Sequence, residues 1–138
     1  MAHHRLPYLK QSKGAIISIG SKTAETGQGN TSDYAASNGG RNALTGEWAV
    51  ELLKYGIRVN TVVDAQCYTP LHQNCIKAFE NPKEKLKSIT EKIPLEKRMT
   101  TREEIANMVV FLLSERSSHT TGQIIQLDGG YVHLDRAI

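Results

Sequence analysis

A serine at position 21 closes an isoleucine-rich run, and a tyrosine at position 34 stands where a helical pattern begins. A hydroxyl and a phenol brought together can hold an oxygen and move a proton, but at a strand end and a helix start they are ordinarily a cap and a packing residue. The other reactive side chains narrow the field. Cys67 and Cys75 are the two cysteines, and their spacing is not that of a CxxC dithiol or zinc ligand pair. His3 and His4 are adjacent, so they do not share a helical face, and no carboxylate lies near them; they read as surface residues, and no metal site is expected. Residues 77–98 carry seven Lys/Arg against four Glu, which accounts for the whole formal charge of +3. These charges are interleaved, and Phe79, the one aromatic among them, falls on the apolar side. The stretch is a solvated helical face rather than a nucleic-acid stripe.

The elements that must position Ser21 and Tyr34 follow from periodicity. Residues 14–19 (GAIISI) form a buried parallel strand, placed close to the start of the chain and closed by Gly20 and Ser21. Residues 21–31 are loop in composition. From Ser32 or Asp33 a helix runs to Tyr55, with Ala36, Gly40, Ala43, Leu44, Trp48 and Leu52 recurring on one face. Gly56 ends it and residues 57–63 (IRVNTVV) form a second strand, so a right-handed parallel crossover joins the two. Residues 70–92 hold one or two short helices. Thr101 to Glu104 make a capping box, behind which Ile105, Met108, Val109, Leu112 and Leu113 define an amphipathic helix. A third strand, 123–127 (QIIQL), is closed by an Asp128-Gly129-Gly130 turn. The reading is a single α/β domain over residues 1–138: a partial Rossmann-like fold, with about three parallel strands flanked by three main helices. The first strand has no earlier strand to cover its edge.

The stretch from Ser21 through Tyr34 to position 38 resembles the active-site segment of the short-chain dehydrogenase/reductases, where a serine is followed about thirteen residues on by a tyrosine and then, four later, by a lysine. YAASNGGRNALTGEWAVELLKYGIRVNTV is similar to that family's central helix and following strand. TREEIANMVVFLLSERSSHTTGQIIQLDGGY is similar to its last helix, last strand and DGG turn. The resemblance covers nearly the whole chain and matches the C-terminal half of the family. Within it, KTAETGQGN, the YTPL after the second strand and the ending DGGYVHLDRAI are similar to sugar dehydrogenases acting on fucose-like substrates.

The resemblance implies a catalytic set of Ser21 and Tyr34, with Asn38 at the lysine position. A phenol is a poor base near neutrality unless something favours its anion. The family's lysine does that and also holds the cofactor ribose, whereas Asn38 can donate hydrogen bonds but carries no charge. Lys22 is the one obvious substitute. After the second strand, where the family has proline and glycine against the nicotinamide, the chain has Asp64 and Ala65; with Cys67 and Thr69 these are the implied, vestigial cofactor-binding positions. No glycine-rich turn joins a strand to a helix, since Gly27 and Gly29 lie in a loop, so no pyrophosphate cradle is expected.

The expectation is therefore a truncated or degenerate NAD(P)-dependent oxidoreductase, inactive alone, that binds NAD or NADP weakly. It self-associates as a dimer or tetramer through the helix over about 33–55 and a cover on the first strand, with Trp48, Leu52 and the strand Ile124–Leu127 near partner chains. The alternative is a working oxidoreductase on a sugar or alcohol, with the nucleotide-binding half supplied by another chain or lying outside this sequence. No stretch approaches the roughly 20 apolar residues of a membrane span, and the start MAHHRLPYLK has no apolar signal run, so a reduced cytoplasmic setting is expected.

Overall fold

The computed structural model describes residues 2–134. Its elements are α1 (Ala2–Ser12), β1 (Ala15–Ser21), α2 (Ser32–Leu52), β2 (Arg58–Asp64), α3 (Pro70–Lys77), α4 (Pro82–Thr90), α5 (Arg102–Leu113) and β3 (Ile124–Leu127), with 3-10 turns at Lys22–Ala24, Leu53–Tyr55 and Glu115–Ser117. The three strands form one parallel sheet in the order β1-β2-β3. The α/β class and the parallel crossover are as the sequence predicts.

β2 lies in the middle, and its residues Val59 to Val63 are buried without a break. Side chains alternate between the faces of a strand. Thr61 therefore meets α2, where its hydroxyl lies 2.6 Å from that of Thr45, whereas Arg58 and Asn60 face the opposite side. The Arg58 guanidinium donates to the Leu112 carbonyl at 2.6 Å, the Ser117 hydroxyl at 3.0 Å and the Ser114 carbonyl at 3.3 Å, tying off the C-terminal end of α5. The Asn60 amide donates to the Thr120 carbonyl and accepts from the Gln123 backbone N–H, both near 3 Å, which aims the chain into β3.

The first strand lies close to the start of the chain as expected, but a helix the sequence pattern does not announce, α1, precedes it. Residues 2–12 are polar overall and contain Pro7, so local pattern argues against a helix there; burial of Leu6 and Leu9 against Ala49, Leu52, Ile57 and Val59 holds it. Residues 70–92 hold two short helices, α3 and α4, within the one or two expected, and with α1 this makes five α-helices among the described residues. On α2 the sheet-facing stripe is Asn38, Thr45, Ala49 and Leu52, while Leu44 on the apolar face read from the sequence is 44% exposed. The buried stripe is part polar, Asn38 bonding to Arg41 and the Tyr34 carbonyl and Thr45 to Thr61 and the Arg41 carbonyl, so the apolar face read from the sequence overlaps it only at its Trp48–Leu52 end. Leu52 is a core residue and not a surface one. Leu113, expected behind the capping box, is likewise exposed on α5.

The capping box itself is present in full: the Thr101 hydroxyl accepts from Glu104 N, and the Glu104 carboxylate accepts from Thr101 N. Gly20 lets β1 approach β2 closely, since a Cβ there would stand 3.1 Å from Thr61 Cγ2 and 3.2 Å from Val63 Cγ2, contacts tight enough that those side chains would have to give way slightly.

Replacing Asn60 with Leu keeps the branched shape but not the volume at this fully buried position, and takes the side-chain partner from the part-buried Thr120 carbonyl and Gln123 N–H. The expected cost is about 2–4 kcal/mol, read as a lower urea midpoint with unchanged slope; an unmoved midpoint would contradict this account of β2.

Candidate active site

Parallel register places Ser21 beside Asp64, and Asp64 beside Leu127, in one row at the carboxyl edge of the sheet. This is the edge at which open α/β sheets bind ligands. Ser21, the last residue of β1, is buried. Its hydroxyl accepts from the backbone N–H and the hydroxyl of Thr23, capping the turn that carries the chain away from the strand.

Tyr34 lies in the first turn of α2 and is 54% exposed, so its phenol is open to a ligand arriving over the strand ends. Asn38, one turn further, is only 1% exposed. Its amide nitrogen donates to the Tyr34 carbonyl at 2.9 Å and its oxygen accepts from Arg41 Nη1 at 2.7 Å. In this structure Asn38 thus faces inward and bonds within its own helix.

Lys22 does not replace the missing charge through any bond to Tyr34 or Ser21. Its ammonium donates to Gln28 Oε1 at 3.1 Å and stands 5.5 Å from the centre of the Tyr131 ring, and burial pushes its pKa down. Beside it, Gln126 on β3 donates to both carboxylate oxygens of Glu25 at 2.8 and 2.9 Å, pinning the loop after β1 to the far edge strand.

Of the remaining positions, Asp64 ends β2 half-buried. Burial pushes its carboxyl upward, against smaller opposing effects of its own backbone and of His72. Ala65 is half-buried next to it. Cys67 is buried in a one-residue parallel bridge to Thr100, and burial likewise raises its thiol. Thr69 is the N-cap of α3, its hydroxyl accepting from His72 N at 3.2 Å, with Pro70 as the first helical residue. The loop from Asp64 to Thr69 is thus held at both ends, by β2 and by α3. The structure brings Ser21, Asp64 and the helix start bearing Tyr34 to one end of the sheet. Arg41, Gln28, Glu25 and Gln126, which sequence reasoning did not single out, complete the polar framework there; for Arg41 the available signal was its spacing, three residues after Asn38 on the same helix.

A family model described as enoyl-(acyl carrier protein) reductase matches residues 1–132. The chain belongs to the short-chain dehydrogenase/reductases. It is 36% identical over 128 residues to a 3-oxoacyl-(acyl-carrier-protein) reductase of Thermotoga maritima, covering 92% of this chain and 49% of that protein. It is 35% identical over 125 residues to an L-fucose dehydrogenase of Rattus norvegicus, covering 91% of the chain and 46% of the relative. The crystal structure of Cj0485 dehydrogenase superposes on the whole chain with a TM-score of 0.97 and 50% identity, using 53% of its own length. The chain thus spans about half the length of the short-chain dehydrogenase/reductases it matches.

A carboxyl whose folded-state pKa is raised weakens the fold above that value and stops doing so below the ordinary carboxylate range, because there the folded state holds the proton at least as well as the unfolded chain. Asp64→Asn should accordingly raise the melting temperature at pH 7, with the advantage shrinking as pH falls through the interval between the raised value and 3.8. Circular-dichroism melts across pH 4–8 read this; a gain that grew on acidification would refute the assignment.

Proposed function

We propose that the chain is the serine- and tyrosine-bearing half of a short-chain oxidoreductase for a small alcohol or sugar, does not turn over by itself, and self-associates. In this reading Ser21 hydrogen-bonds the substrate oxygen and Tyr34 exchanges its proton, while residues 64–69 lie on the nicotinamide side. NAD or NADP would supply the hydride chemistry. The residues present do not fit a tightly held dinucleotide. By the family resemblance the ribose would meet position 38, but Asn38 is buried with its amide on Tyr34 and Arg41, and the nicotinamide would lie against the half-buried carboxylate of Asp64. The inward-facing Asn38 is the observation that carries the reading, since it leaves Tyr34 without a helical neighbour to favour its anion. A fucose-like sugar is the substrate class we favour, supported by the L-fucose dehydrogenase among the relatives.

One observation favours a second reading. β1 is an edge strand, so a nucleotide-binding half supplied by another polypeptide has an unpaired strand to dock on and would complete the site. A cytoplasmic setting suits both readings; no helix among the described residues is long and apolar enough to cross a membrane. Self-association as a dimer or tetramer is supported by the apolar side chains left outward on α2 and β3, where Leu44, Val50 and Ile124 are exposed and Trp48 is half-buried.

With NAD or NADP and a panel of sugars and alcohols including L-fucose, the isolated chain should show no turnover above its Tyr34→Phe variant, and calorimetry should show no saturable NAD binding in the low micromolar range. Steady turnover or tight binding would overturn the proposal. Sedimentation at low micromolar concentration should show a dimer or larger species, and a well-folded, cooperatively melting monomer would remove the self-association.

A further inference from the structure

The two elements that carry Ser21 and Tyr34 are joined by one short series of hydrogen bonds. Arg41 Nη1 donates to the Ile19 carbonyl, two residues before Ser21, at 2.7 Å. The same nitrogen donates to Asn38 Oδ1 at 2.7 Å, and Asn38 Nδ2 donates to the carbonyl of Tyr34 at 2.9 Å. The first of these bonds falls on the open side of the sheet. The Arg58 N–H takes the Gly14 carbonyl, so alternation along β1 turns the carbonyls of residues 14, 16, 18 and 20 towards β2 and that of Ile19 away from it. Arg41 therefore supplies a donor to an edge carbonyl that no strand meets among the described residues, and a charge-assisted bond of this length is among the stronger kinds.

We propose that Arg41 and Asn38 act as a pair, a brace that fixes the separation of Ser21 and Tyr34, so that Asn38 is a positioning residue coupled to Arg41 rather than a lysine position that has simply lost its charge. The inference rests on the reading of Ser21 and Tyr34 as the reacting pair. Each member needs the other. Asn38 offers Arg41 an acceptor that lysine cannot offer, and Arg41 fixes the amide so that its nitrogen faces Tyr34. A lysine at 38 would remove the acceptor and set an ammonium against the guanidinium in a site that is 1% exposed, where both desolvation and like-charge repulsion oppose it. The two positions should therefore tolerate lysine at 38 only when 41 is apolar.

The test uses Asn38→Lys, Arg41→Leu and the double variant of the full 138-residue chain, without nucleotide or substrate. Asn38→Lys should lower the melting temperature by about 5 °C or more, and adding Arg41→Leu should return at least half of that loss. Arg41→Leu alone should move the backbone carbonyl resonances of both Ile19 and Tyr34 together with the amide resonances of Ser21 and Tyr34, whereas an exposed substitution on the same helix, Glu47→Gln, should move none of them. If Asn38→Lys does not fold, this resonance comparison still decides the matter. A single Asn38→Lys variant as stable as the parent chain, or unmoved Ile19 and Tyr34 carbonyls in Arg41→Leu, would overturn the brace. Turnover by the isolated chain would sink the functional proposal while leaving the brace standing, so the two fail separately.

Discussion

The fold hangs on the polar side chains of its most buried strand. β2 is closed to solvent from Val59 to Val63, yet Arg58 at its start and Asn60 within it spend their hydrogen bonds on segments more than fifty residues away in sequence. Apolar packing alone would let α5 slide over the sheet, because hydrophobic burial has no direction. The Arg58 guanidinium removes that freedom by bonding the last carbonyls of α5, and Asn60 does the same for the approach to β3. Once α5 and β3 are fixed on β2, the carboxyl edge that carries Asp64 and Leu127 is fixed too, and Ser21 stands in register beside them.

Above that edge the helix–sheet interface changes character. Near its lower end α2 packs Ala49 and Leu52 on Ile57 and Val59, an ordinary apolar contact. Towards Tyr34 the same stripe becomes Thr45 and Asn38, each with a bonded partner. An interface of this kind gains little from hydrophobic burial and much from directional bonds, so it specifies where α2 sits more than it stabilises it. A half-buried Asp64 beside it has the opposite sign, a group whose burial opposes the fold. Such a mixture is common where a sheet edge is shaped for a ligand rather than for stability.

Most of the architecture was legible in the sequence because the strands are short, apolar and punctuated. Residues 14–19, 57–63 and 123–127 needed only one or two residues of adjustment, and the Thr101–Glu104 box announced α5 without tertiary information. What escaped has a physical reason in each case. α1 contains a proline and few apolar residues, and it is held by two leucines that reach a core built from later segments. The buried side of α2 is polar over its first half, at Asn38 and Thr45, so a search for apolar periodicity finds exposed residues such as Leu44 there and the core only from Trp48 onward. Ser21 and Tyr34 were found from a spacing and a resemblance, but nothing in the types of residues 38 and 41 says that the asparagine turns inward towards an arginine; that is a fact of three-dimensional packing.

The long reach of Asn60 has a bearing on how the chain is made. Its two backbone partners lie 60 and 63 residues downstream, and β3 completes the free side of the strand only after them. A ribosome adding about 5–20 residues per second needs roughly 3–13 s to travel that distance. Until those residues are made, nothing downstream is available to pair with the free side of the central strand, which carries the largely β-branched segment VNTVV. The residues that cover the central strand are thus made seconds after it, a delay in which an unpaired strand edge invites pairing with other chains.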